Sequence, residues 1–175
     1  MTASRIRGML AALWGVGGVA LLLGSAVYRL TPLAVEALTS RMELRHWLFL
    51  VLVLAFMAYA EGYRAFQQAF SPRVAARARY LITRPTLLHS VLAPLFCMAY
   101  FHAPKRRRIT SLSVTAGIIV LIILVRLLPQ PWRGIVDAGV VVGLAWGLVS
   151  LVLFSIQAFA SDTFDYSPEV PEQHP

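Results

Sequence analysis

The sequence predicts an all-α integral membrane protein: four transmembrane helices, a short re-entrant or interfacial helix, and a basic amphipathic helix on the cytoplasmic side. Three observations carry that prediction. Of 175 residues, 58% are hydrophobic and 14% charged, against roughly 45–50% and about 25% in soluble domains. The apolar residues come in runs long enough to cross a hydrocarbon core of about 30 Å. The basic residues, which bring the net charge to +8, sit between those runs. There they set orientation and meet anionic lipid head groups, and nothing in their placement points to nucleic acid.

Arg5 and Arg7 precede Gly8–Leu30, which is apolar but for Ser25 and Arg29 near its end. It exceeds the roughly 7–15-residue core of a secretory signal, so a signal-anchor first span (about 8–30) is expected. Thr31–Arg45 reads as a polar link with a half-turn at Pro32–Leu38. The second span, 46–66, continues as helix through Gly62–Phe70 as it leaves the membrane. Ser71-Pro72 has the form of an N-cap followed by proline at the first helical position. The helix it opens, 72–82, sets Arg73, Arg77 and Arg84 apart from Val74, Ala78 and Leu81, the pattern of a helix lying in an anionic interface.

Leu87–Ala103 is apolar but contains Pro94 and carries His89 and His102 near its ends. At about 1.5 Å per residue it reaches roughly 25 Å, short of the core. Lys105, Arg106, Arg107 and Arg108 follow at once. Two clear spans, 111–129 and 134–160, flank the tight link Pro129–Arg133, and residues 161–175 read as a disordered acidic tail. If 87–103 crossed the membrane, 9 basic residues would lie inside and 7 outside; if it dips and returns, the split is 11 and 5. The positive-inside bias favours the second arrangement, with four spans and both termini in the cytoplasm. The expected location is a bacterial inner membrane, an arginine-rich composition (15 of 16 basic residues) pointing to a GC-rich genome.

Several groups are candidates for function. Gly139, Gly143 and Gly147 make a G-xxx-G-xxx-G row that allows close helix approach in lipid. The first span offers Gly15 and Gly18 in return. The two spans pack on each other within the chain, or the rows make a contact face for a membrane-protein partner or a second copy. Arg126 and Asp137 flank the link between the last two spans and are placed to pair across it; Arg133 competes at i−4. Glu61, Tyr63, Arg64 and Gln67 form the densest polar group at a membrane boundary. Arg73, Arg77, Arg84 and Lys105–Arg108 are expected to contact anionic lipid. His46, His89 and His102 invite a metal or haem reading, but on a straight helix His89 and His102 do not share a face. The lone Cys97 allows no internal disulfide or thiolate cluster.

No catalytic motif, cofactor or metal site is legible. The function expected is non-catalytic: an accessory subunit, assembly factor or scaffold acting through helix packing. A transporter or channel-like element using Glu61 and 87–103 is the alternative, and a lipid head-group enzyme at the inner interface the third reading.

Overall fold

The computed structural model describes residues 3–161 and 163–170; among them every regular element is helical, in the order α1 (Ala3–Thr39), α2 (Leu44–Met57), a π-helical segment (Ala58–Phe70), α3 (Ser71–Thr83), α4 (Leu87–Val91), α5 (Ala93–Cys97), α6 (Lys105–Arg126) and α7 (Trp132–Ala160). Four stretches are long and apolar enough to cross a membrane: 5–39, 44–83, 105–126 and 132–160.

α1 does not stop at Leu30 but runs on through Pro32. Tertiary packing overrides the cost of an internal proline here. Ala34 and Ala37 are buried against the start of α7, where a side chain at Gly134 would lie within 2.5 Å of the Leu33 carbonyl. Nor do Ser71 and Pro72 begin a separate helix. Ser71 is itself helical (φ −60, ψ −46) and its N–H bonds the carbonyl of Phe66, five residues back. The ladder then returns to α spacing, a step that passes over one carbonyl. Pro72 then contributes no N–H, so the helix carries one bond fewer there and its continuity rests on the packing of the flanking segments. From Leu44 to Thr83 the chain is therefore one rod.

The stretch expected to lie on a surface, α3, is instead largely buried, with Val74, Ala75, Ala76, Arg77, Ala78 and Leu81 all inside. It wedges between α1, α5 and α7. The alanines make the helix thin enough for that, which the arginine pattern alone did not reveal. The core at this end joins Ala12 and Val19 of α1, Leu81 of α3, Phe96 of α5 and Leu151 of α7.

Residues 87–103 form a hairpin that rises along α1 and returns. Trp14 Nε1 donates to the Val91 carbonyl at 3.1 Å, Pro94 packs on Gly18, and Cys97 packs on Gly15. At the other end of the same hairpin, His89 and His102 meet. α6 departs from its base. Its side chains from Ala116 to Leu124 are all exposed, and none of its apolar window is buried. Ser111 and Thr115 tie its first half to Met98 and Tyr100, and Val125 is buried at its far end.

The tail expected to be disordered carries no helix or strand over 163–170, yet it is held. Phe154 and Tyr166 stack edge to face, and Glu169 makes a two-pronged pair with Arg107, one prong at 2.8 Å. Charge complementarity to the α6 arginine supplies what the apolar-poor tail lacks. Residue 162 and residues 171–175 of that tail lie outside the described residues.

Candidate functional site

Two places gather polar side chains within the apolar body. The first is the base of the hairpin, and Arg77 organises it. Arg77 is 1% exposed, with its guanidinium carbon 4.1 Å above the Phe96 ring. Its Nε donates to the Phe96 carbonyl at 2.6 Å. Nη1 donates to Pro168 O at 2.9 Å and to Glu169 O at 3.4 Å. Nη2 donates to Phe101 O and His102 O, both at 3.0 Å. One side chain thus fastens α3 to the end of α5, the returning limb of the hairpin, and the tail. Backbone strain collects in the same spot: Ala99, His102 and Glu169 are the described non-glycine residues with positive φ (61, 46 and 48). Such conformations persist where the surroundings over-determine them, and the guanidinium bonds carbonyls of two of the three.

Beside it, His89 Nε2 lies 2.7 Å from His102 Nδ1. The straight-helix expectation that these rings stay apart is corrected, because the helix breaks at Leu92 and the chain turns back. His89 is buried and its Nδ1 has no hydrogen-bond partner. A bare nitrogen tolerates that better than an orphaned N–H, so the favoured tautomer has His89 Nε2–H donating to His102. Burial first, then His102 and Arg77, hold the His89 imidazole below its ordinary value of 6.5. The folded state therefore binds this proton more weakly than the unfolded chain. Its contribution is complete above about pH 6.5 and is lost as pH falls through the lowered folded value. Thermal stability is expected to drop as pH falls below about 6.5, and the drop to flatten in His89→Gln; parallel slopes in a melting series would contradict this assignment.

The second place is the seam between α7 and the π segment. The row of glycines on α7 is closed within the chain, but not by α1. A side chain at Gly139 would strike Val53 and Met57, one at Gly143 would meet Glu61 Oε2 at 2.7 Å, and one at Gly147 would strike Phe66. In turn Gly62 of the π segment lies under Trp146, whose indole N–H donates to Gln67 Oε1 at 2.7 Å. Glu61 presents one carboxyl oxygen to this seam, buried and without a hydrogen-bond partner.

The chain matches no protein-family model, no curated protein and no solved structure.

Its residues must therefore speak for themselves. α1 and α7 pack on each other at length, but not through these glycines, and the α7 row does not stand open to a partner: Gly139, Gly143 and Gly147 accept α2 and the π segment, while Gly15 and Gly18 accept the hairpin. Asp137 lies 3.7 Å from Arg133, its i−4 neighbour; no ion pair with Arg126 occurs among the described residues, and Arg126 is exposed. Glu61 and Arg64 likewise form no ion pair there. Tyr63 stacks on Tyr59 at 6.0 Å along the exposed side of the π segment. Of the arginines assigned to lipid, Arg77 is corrected to a buried clamp and Arg107 binds Glu169. Arg84, Lys105, Arg106 and Arg108 are exposed, while Arg73 donates to the carbonyl of Ala69. His46 is structural: it accepts the Glu43 N–H at 3.1 Å and meets the Trp132 ring edge-on at 4.8 Å.

Proposed function

We propose that this chain is a non-catalytic membrane subunit that works by docking α6 against another membrane protein or a second copy of itself. One observation carries the reading: α6 is a helix of membrane length whose residues from Ala116 to Leu124 are all exposed, none of its apolar window being buried by its own chain. In lipid, helices associate over small residues that let backbones approach. α6 offers Ser113 and Gly117 four residues apart, and a side chain at Gly117 would meet nothing within 4 Å. The glycines of α7, by contrast, are already occupied. In this reading the hairpin 87–103 enters the bilayer from the cytoplasmic face and returns there. That puts the exposed Arg84, Lys105, Arg106 and Arg108 at an anionic inner leaflet, with both termini on that side, in a bacterial inner membrane.

Gly117→Leu tests it, because the chain has room for the new side chain. The variant is expected to keep wild-type helicity and melting behaviour while association in mild detergent weakens at least about tenfold, equivalent to about 1.4 kcal/mol. Association would be read by size-exclusion light scattering for self-assembly and by co-purification for a partner. A wild-type chain that is monomeric and partnerless, or an association that Gly117→Leu leaves intact, removes the proposal.

A further inference from the structure

Glu61 lies where a charge is hard to keep. It packs against Gly143, eleven residues after Trp132 and seventeen before Ala160 on α7. At about 1.5 Å per residue those are roughly 16 and 26 Å, so in a membrane of ordinary thickness the carboxyl sits well inside the hydrocarbon. Among the described residues no cation pairs with it; on α3, Arg73 bonds the Ala69 carbonyl and Arg77 the Phe96 carbonyl. α7 carries no charged residue between Asp137 and Ala160, and α2 and the start of the π segment carry none between His46 and Glu61. On α1 the nearest basic residue to the middle of the span, Arg29, is exposed, as is Arg64 on the same segment as Glu61. No ion pair among the described residues includes Glu61. Asp137, the other acid on the facing helix, is engaged by Arg133.

An uncompensated carboxylate in that setting is costly, and the cheaper state is the neutral acid. A metal cation is a poor occupant, since it asks for about six or more oxygen ligands. The seam supplies one carboxyl oxygen against a glycine, with the Val53 and Met57 side chains one turn away at Gly139. The backbone adds a second pointer. π hydrogen bonding is rare, and where it occurs it frequently marks functional positions; here it runs from Ala58 to Phe70 and includes Glu61.

We propose that Glu61 is a proton-binding site inside the membrane domain: it holds its proton at neutral pH with the carboxyl seated on Gly143. Removing the proton drives the carboxylate out of the seam and loosens the contact between α7 and the π segment. The inference is independent of what α6 binds.

Infrared spectroscopy of the protein in lipid nanodiscs tests it directly. At about pH 7 the wild type is expected to show the C=O stretch of a protonated carboxyl. Glu61→Gln, which matches the neutral acid in size and charge, should remove that band while preserving helix content. If that variant does not fold, 13C-glutamate labelling of the wild type gives the same answer, because the band must shift with glutamate and not with aspartate labelling. A neutral-pH spectrum with no protonated-carboxyl band, a band that survives in Glu61→Gln, or a band that moves only with aspartate labelling overturns the proposal.

Discussion

Replacing Arg77 by leucine is expected to release the 87–103 hairpin from the bundle and to expose Cys97. The guanidinium satisfies the carbonyls of Phe96, Phe101, His102 and Pro168 from a site that is 1% exposed. Hydrogen bonds to charged groups contribute about 1.5–3 kcal/mol each, and a buried acceptor left bare costs its full desolvation. The bonds are not additive, but the equivalent of two of them sets a loss of at least about 3 kcal/mol. Leucine fills part of the volume and none of the polar need. Arg77→Lys is expected to fall between, because an ammonium lacks the planar fork that reaches carbonyls on opposite sides. Cys97 reports the outcome. It is 2% exposed in the folded chain, its sulfur packed on Gly15, so alkylation by N-ethylmaleimide must wait for local opening. A loss of 3 kcal/mol raises the open fraction about 100-fold, and the alkylation rate should rise with it. An unchanged rate would mean that other donors satisfy those carbonyls and that Arg77 is not the clamp.

How much of this was written in the chain can be judged from particular residues. The last two long helices were legible as elements from their apolar runs, expected over 111–129 and 134–160; they run Lys105–Arg126 and Trp132–Ala160, the first starting earlier because the basic cluster is itself helical. Pro94 marked 87–103 as a broken helix, and the chain does break beside it, at Leu92, and reverse so that His89 meets His102. Proline and serine misled elsewhere. Pro32 and Ser71-Pro72 carry the local signature of a helix boundary, yet the helices continue through both, held by contacts from α7 and by a change in ladder spacing. Local pattern also could not separate Arg77 from Arg73 and Arg84; the one signal is that Ala75, Ala76 and Ala78 surround it, small residues that let neighbours close over a buried head group. The meeting of His89 and His102 was hidden for a related reason: thirteen residues apart, they are brought together by a chain reversal that no helical periodicity encodes. Glu61 was read as paired with Arg64 at a membrane boundary, because local spacing shows only its own helix; the fold turns it toward Gly143 on another helix, away from Arg64 and from the helix ends.

Alanine substitutions at the glycines are expected to split by sign, and the split tests the packing of the whole bundle. At Gly8 a new Cβ would lie 2.6 Å from the Ile82 carbonyl and 2.8 Å from that of Leu81. At Gly134 it would lie 2.5 Å from the Leu33 carbonyl, with the Ala37 methyl in the way as well. The obstacles are backbone atoms and a short side chain that cannot swing aside, so whole helices must move. Gly8→Ala and Gly134→Ala should each cost about 1–3 kcal/mol, the range for overfilling a packed interior. Gly17, Gly24 and Gly117 are also helical, yet a Cβ on any of them meets nothing within 4 Å. There only the backbone term acts, and alanine should stabilise by up to about 1 kcal/mol through helix propensity. Thermal melts of the five variants in one detergent make the comparison, because errors common to the medium cancel between the two groups. Gly8 and Gly134 lie at opposite ends of the bundle, so a loss at both requires α1 to be held against α3 at one end and α7 at the other. If Gly134→Ala proved as harmless as Gly117→Ala, α1 would end near Leu30 as its local sequence suggests, and the long α1–α7 contact that aligns the glycine seam with Glu61 would be gone.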